Sequence, residues 1–322
     1  MKILIYGAGA VGLGLASCLL KSGQRIDLIG REETVLALKR HGLIRTGIFG
    51  DFHASPQTFD CYSSLTNISS KCYNFILVST KSFDTEEAAS DLNTHALLWN
   101  QNTKFILFQN GWGNTEKFTV LFPQEQIFNA RVITGFTRPQ PHHAEITVHA
   151  DKVLIGSLVQ ASLKDIEGLC ESITRGDLPC GLSQNIAKDL WAKMLYNCSL
   201  NALGAILNVP YGTLGELDSS RSIMRNIFEE VYAVMAAAGY QTHWPTASTY
   251  ATIFYEKLLP PTAEHHSSTL QDLKSGKKTE IDAFNGVICQ MGENFHINVP
   301  VNHTLYQIVK FIECNRLHKI AS

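Results

Sequence analysis

The chain has 322 residues, 45% hydrophobic and 17% charged, which excludes a disordered protein and calls for two domains rather than one core. Its 27 Lys+Arg against 29 Asp+Glu leave a net charge of −2, so the overall balance points to neither nucleic acid nor a membrane surface as a partner. No apolar stretch reaches the ~18 residues that a membrane span requires.

In chain order, residues 2–6 (Lys-Ile-Leu-Ile-Tyr) predict a short buried strand. The glycine-rich stretch 7–12 follows at once, then a helix over 12–22 that stops at Gly23. A second strand covers 25–29 and ends at Gly30-Arg31. The alternation continues with strand 74–79, a helix over roughly 84–98, strand 104–109 and the Asn110-Gly111 turn. Strands alternating with helices predict an α/β fold, a mostly parallel sheet covered on both faces. Residues 132–134, 145–148 and 152–155 read instead as short antiparallel strands around polar turns. From about residue 183 the period becomes helical, with helices expected over 186–206, 221–238, 246–258, 262–275, 279–294 and 301–316. The expected organisation is an α/β domain over 1–182 and an all-helical domain over 183–322.

The eight cysteines are scattered, with no Cys-x-x-Cys pair. In a chain of this length they read as reduced, mostly buried thiols, which suits the cytoplasm. Neither adjacent histidine pair, His142-His143 or His265-His266, has the i, i+4 spacing that aims two rings at one metal, so no metal site is expected. Leu15-Ala16-Ser17-Cys18 has the look of a lipoprotein cleavage site, but Gly7, Gly9, Gly12 and Gly14 interrupt the apolar run before it, which disfavours export.

Gly7-Ala8-Gly9-Ala10-Val11-Gly12 lies directly between a predicted strand and a predicted helix, the context that gives such a fingerprint its meaning. Gly7 permits the tight turn, Gly9 lets the backbone approach a pyrophosphate, and Gly12 lets helix and strand pack closely. The alternative is a glycine-rich turn with no ligand. Dinucleotide sites for NAD commonly place Asp or Glu at the end of the second strand, where this chain has Arg31. A guanidinium cannot accept a hydrogen bond from a ribose hydroxyl but can clamp a 2′-phosphate, which favours NADP. Asp27 falls too early in the strand for that role, and Glu32 and Glu33 read as favourable charge in a helix's first turn.

Lys193, Asn197 and Asn201 are spaced i, i+4, i+8 among mostly apolar neighbours, which puts one ammonium and two amides on one helix face. Such groups need partners. A bound carboxylate and carbonyl would supply them, as would a hydrogen-bond network inside a helical core, and spacing does not separate the two. Ser267-Ser268-Thr269-Leu270-Gln271-Asp272 and Thr279-Glu280-Ile281-Asp282 read alone as a helix, a break at Gly276 and a Thr-capped second helix.

Together these pieces resemble the ketopantoate reductase family over essentially the whole chain. The resemblance rests on the glycine fingerprint, Arg31, Ser79-Thr80-Lys81, Asn110-Gly111, Trp191-x-Lys193-x-x-x-Asn197-x-x-x-Asn201, the Ser267 and Thr279 segments, and Ile297-Asn298-Val299-Pro300-Val301-Asn302 with Leu305-Tyr306. It implies a Rossmann-type N-terminal domain and an all-α C-terminal domain of the 6-phosphogluconate-dehydrogenase type. It implies a cytoplasmic enzyme of pantothenate biosynthesis that uses NADPH to reduce the C2 ketone of 2-dehydropantoate, a small-molecule partner, and allows a homodimer. Carried over by position, Lys193 is the general acid; Asn197, Asn201 and Ser268 hold the substrate; Lys81 and Asn110 contact the cofactor; and Glu280 lies between cofactor and catalytic lysine. Two positions depart from the family pattern, His265 shortly before the serine pair and Tyr211 in the turn after the catalytic helix. The turn over 136–143, with Arg138, Pro139 and Pro141, is the chain's own. Competing readings are a paralogue for another branched 2-oxo acid and an NADP sensor without catalysis.

Overall fold

The structure, a computed structural model, describes residues 1–69 and 72–321, with side chains up to residue 315. It divides into two units, Met1–Asn110 with Asn114–Ile186, and Gly111–Gly113 with Ala187–Ser322.

The first unit is built on an alternation inside β1 (Lys2–Tyr6). Ile3 and Ile5 face one core and Leu4 the other, because successive side chains leave a strand on opposite sides. α1 (Ala10–Lys21) follows, then β2 (Arg25–Ile29), α2 (Glu32–His41), β3 (Leu43–Gly47), β4 (Phe52–Ala54) and β5 (Asp60–Tyr62). After β6 (Phe75–Val78) come α3 (Thr85–Thr94), β7 (Lys104–Leu107), α4 (Asn114–Thr119), β8 (Ile127–Gln140), β9 (His143–Gly156), α5 (Lys164–Arg175) and β10 (Cys180–Leu182). The strands form one sheet in the order β4-β3-β9-β8-β7-β6-β1-β2-β5, with β10 also on β9. Among the described residues only β3/β4 and β8/β9 pair antiparallel. β6 and β7 are nearly continuous apolar runs because both faces are covered, by α1 and α5 on one side and α3 and α4 on the other. β1 has β2 on one side and β6 on the other, so strand order reverses there, at the crevice where open α/β sheets bind ligands.

The second unit holds α6 (Ile186–Leu207), α7 (Tyr211–Leu214), α8 (Asp218–Ala237), α9 (Ala247–Ile253), α10 (Ser268–Lys274), α11 (Asn285–Phe295) and α12 (Pro300–Ala321). Among the described residues it contains no strand. α8 packs Phe228 against Tyr250 of α9 and against Phe254, with ring centroids 4.8 and 5.1 Å apart.

Several sequence expectations shift. The three short strands expected over 132–155 are parts of one hairpin of two 14-residue strands, whose register shifts break the alternation that a pattern search follows. The helix expected over 84–98 ends at Thr94, before a 3-10 turn at Ala96–Leu98. The one over 246–258 becomes π-helical from Phe254. Of 262–275, only Ser268–Lys274 is α-helical, started by the Ser267 hydroxyl accepting from Leu270 N at 3.0 Å. The helix expected from 279 begins at Asn285, after a single turn at Ile281–Ala283. β3, β4, β5, α4, α5, β10 and α7 were not anticipated, and of α2 only the first turn was, at Glu32 and Glu33.

Arg45 on β3 is 0% exposed. Its guanidinium donates to the Gly176 carbonyl at 2.8 Å and to the Asp177 carboxylate, which also receives Lys21 at 2.6 Å. Burial pushes the Asp177 carboxyl up, but the bonds from Lys21 and Arg45 outweigh it and hold the group below its ordinary value. A native value below the unfolded one of about 3.9 means that the stabilisation is full above that pH and drains away as pH falls through the native value. Asp177→Asn, which tolerates the native φ of +81°, should lower the free energy of urea unfolding by about 2 kcal/mol at pH 7. The gap to wild type should close below about pH 4. Equal stability at pH 7 would contradict this role.

Candidate active site

At the end of β1 the chain turns through Gly7 at φ +115°, and the amides of Gly7 and Ala8 both donate to Ile29 O, at 3.0 and 2.8 Å. A Cβ on Gly7 would lie 2.8 Å from Thr80 N, and one on Gly12 only 1.9 Å from Gly7 O, so backbone meets backbone at both. The Ser79 hydroxyl locks the turn by donating to Gly7 O at 2.7 Å. Gly9 differs: a Cβ there would meet nothing within 4 Å. As the N-cap of α1 it brings no side chain to cap the first-turn amides or cover the positive end of the helix dipole. A pyrophosphate fits that cradle.

Arg31 is the exposed N-cap residue of α2, with Glu32 and Glu33 in the first turn behind it. Asp27 is buried and accepts the Tyr73 hydroxyl, which removes it from consideration as a ribose ligand. Lys81 follows β6 and Asn110 follows β7, both at the carboxyl edge of the sheet where the glycine turn also lies. Gln109 braces this edge, its amide donating to the Thr80 and Thr85 hydroxyls at 3.1 and 2.8 Å. Sequence reasoning passed over Gln109, which has no motif around it.

In the second unit, α6 carries the polar stripe. Trp191, wholly buried, packs against Trp112 with ring centroids 4.7 Å apart, and Trp112 meets Tyr240 edge-on at 4.8 Å. This aromatic cluster fixes the helix two residues before Lys193, which is half-buried, while Asn197 and Asn201 are 9% and 3% exposed. Asn201 Oδ1 accepts the Tyr211 hydroxyl at 2.7 Å. The Tyr211 amide in turn donates to His265 O at 3.0 Å, and the two rings sit 5.4 Å apart. The two departures from the family pattern therefore form one contact at the Asn201 end of the stripe. Burial raises the Tyr211 phenol and lowers the His265 imidazole, so near neutral pH the phenol is a donor and the imidazole is uncharged.

Ser268, half-buried, is the first residue of α10, and Glu280 is 4% exposed. The segment around Glu280 is tied to α12: Thr279 donates to Glu313 at 3.1 Å, Tyr306 to Asp282 at 2.8 Å, and Lys310 pairs with Asp282 at 3.3 Å. Among the described residues no group of three or more His, Cys, Asp or Glu is placed to hold a metal, and no helix is long and apolar enough to cross a membrane.

Residues 3–160 match the family described as Ketopantoate reductase PanE/ApbA, and residues 185–313 the one described as Ketopantoate reductase PanE/ApbA C terminal. A 2-dehydropantoate 2-reductase of Aquifex aeolicus is 33% identical over 311 residues, 96% of each chain. The chain belongs to the ketopantoate reductase family. It is an oxidoreductase that works with a nicotinamide cofactor. The crystal structure of a PanE/ApbA family ketopantoate reductase from Ralstonia eutropha superposes with a TM-score of 0.84 at 28% identity, covering 98% of this chain and 99% of that one. D-mandelate dehydrogenase with NADH and anilino(oxo)acetate shares the fold, with a TM-score of 0.86 at 24% identity over 98% and 99%.

Within this family fold the Tyr211 hydroxyl has a checkable energetic role. Tyr211→Phe leaves Asn201 Oδ1 buried without that donor and should lower the unfolding free energy by about 1–2 kcal/mol. A calorimetric melting curve superposable on wild type would mean that the bond contributes nothing.

Proposed function

We propose that this chain reduces 2-dehydropantoate to (R)-pantoate with NADPH, as a step of pantothenate biosynthesis in the cytoplasm, with Lys193 as general acid. The observation that carries the reading is the stripe on α6, a half-buried lysine and two buried asparagines aligned on a helix that is mostly buried. On this reading residues 1–182 bind the cofactor and 183–322 act on the substrate. Gly7, Ala8, Gly9, Ala10, Val11 and Gly12 hold the pyrophosphate, Arg31 the 2′-phosphate, and Lys81, Asn110 and Glu280 the nicotinamide half.

When bound, the reduced nicotinamide supplies the hydride. The protein's own part is electrostatic. Hydride addition at C2 puts negative charge on the carbonyl oxygen, and the Lys193 ammonium stabilises that charge and delivers the proton that completes the alcohol. Asn197 and Asn201 offer amide donors along about 12 Å of helix, at ~1.5 Å rise per residue. Because Tyr211 already occupies Asn201 Oδ1, its Nδ2 is the group left for a substrate oxygen. Ser268 adds a hydroxyl. A compact molecule with a carboxylate, a ketone and a hydroxyl suits that set. The proposal includes a homodimer, which sedimentation of the purified chain checks.

Lys193→Ala should lower kcat by roughly two to four orders of magnitude while leaving the dissociation constant for NADPH nearly unchanged. Retention of more than about a tenth of wild-type turnover would rule out the general-acid role. A wild-type protein that binds NADPH but turns over no 2-oxo acid would identify a sensor instead.

The substrate itself is settled by a panel of 2-oxo acids. A site that recognises a hydroxyl leaves its own polar atoms unpaired with an analogue lacking it. 2-Dehydropantoate should therefore exceed 2-oxoisovalerate in kcat/KM by at least about 100-fold. His265 and Tyr211 bring two rings to the place of expected amides. If 2-oxoisovalerate or an aromatic 2-oxo acid proved the better substrate, the pantoate assignment would fall and the reaction type would stand.

A further inference from the structure

The β8–β9 hairpin belongs to none of the roles above, yet it reaches the cofactor cradle. Arg138, near the end of β8, donates through Nη1 to Ala8 O at 3.4 Å and to Thr34 Oγ1 at 3.1 Å. Ala8 is in the glycine turn, and Thr34 lies three residues after Arg31, in the first turn of α2. One guanidinium thus spans the two elements that frame the adenosine corner of a dinucleotide site.

Its placement is held from three sides. Phe136, two residues earlier, lies over α1 at Gly14, where a Cβ would be 2.4 Å from its ring. His142, at the hairpin tip, stacks on His41 at the far end of α2, with centroids 4.8 Å apart. Pro139 follows Arg138 directly and restricts its backbone to extended conformations. The hairpin therefore lies along α2 and delivers Arg138 beside the helix that Arg31 begins. Two donations engage only Nη1 of a group with five N–H donors, and the residue is exposed, so Nε and Nη2 remain for a ligand.

The geometry points to Arg138 as a second determinant of cofactor choice, a guanidinium that contacts the 2′-phosphate of NADP together with Arg31. This rests on the NADPH reading. Two guanidiniums offer a phosphate a two-sided clamp that a ribose hydroxyl cannot use. A pyrophosphate contact would serve NAD and NADP alike; the bond to Thr34, on the Arg31 side, favours the 2′ position.

The test is calorimetric titration of the whole protein with 2′,5′-ADP and with 5′-AMP, which differ only in the 2′-phosphate. Wild type should bind 2′,5′-ADP much the more tightly, and Arg31→Ala should erase most of that preference. If wild type does not discriminate, the NADPH reading itself fails, whatever the variants do. If it does, Arg138→Gln should weaken 2′,5′-ADP by at least about tenfold and leave 5′-AMP unchanged. Unchanged 2′,5′-ADP binding, or equal weakening of both ligands, overturns the Arg138 inference and leaves the Arg31 assignment intact. Should Arg138→Gln fail to fold, Arg138→Lys carries the test. It keeps the charge without the fork and should lose several-fold on 2′,5′-ADP alone; full retention, or loss on both ligands, overturns the inference.

Discussion

A helix buried on nearly every side that still carries a lysine and two asparagines is an expensive arrangement, since each polar group withdrawn from water needs a partner. Much of the second unit is organised around meeting that demand on α6. Trp191, Trp112 and Tyr240 fill the space at one end with ring faces. Tyr211 supplies the donor that Asn201 requires at the other. Between them, Asn285 of α11 donates to Cys198 O at 3.1 Å and to Asn302 at 2.9 Å. Asn302 in turn donates to Glu230, whose carboxylate accepts the Val301 and Asn302 amides at the start of α12. This chain of bonds links α6, α8, α11 and α12 and leaves the helix little freedom to rotate, so the stripe keeps one direction.

The first unit solves a different problem with less side chain. Its critical contacts are between backbones, at Gly7 against Thr80 and Gly12 against Gly7. Nothing larger than hydrogen fits there, whereas Gly9 has room to spare. The three glycines of the fingerprint therefore divide into two that close the turn and one that opens it. That division is what turns the end of a strand into an anion cradle, because α1 begins at the open glycine and its dipole adds to the unsatisfied amides.

Legibility in the sequence followed from how local each determinant is. The glycine turn, β1, α1 and β2 are set by neighbours within a few residues, and the structure has them close to where the pattern put them. The stripe of α6 was visible because helical spacing is fixed by geometry. β3 was invisible because its burial depends on a strand far away in the chain: it pairs with β9, about a hundred residues on. The segment 262–267 has helical composition, but the Tyr211 and Gly212 amides donate to its carbonyls at His265 and Ala263, which hold it out of helix. Glu280 looked like the start of a helix, and its actual setting depends on Glu313 and Tyr306 from a helix that follows.

The hairpin is the extreme case of this rule. Its alternation is broken by four register shifts, so its strands read as fragments, and the arginine near its tip had no motif to announce it. The physical logic is nonetheless simple. A parallel sheet places its strand ends and helix starts at one edge, but it has no covering element there, and loops carry the variable contacts. A long antiparallel excursion can lay a side chain across that edge while remaining hydrogen-bonded along its own length. Rigid delivery matters because a charged group on a mobile loop loses to side-chain entropy much of what it gains from a phosphate. Phe136 on Gly14 and His142 on His41 are contacts of that kind: they touch nothing in the cradle, and they decide where Arg138 can be.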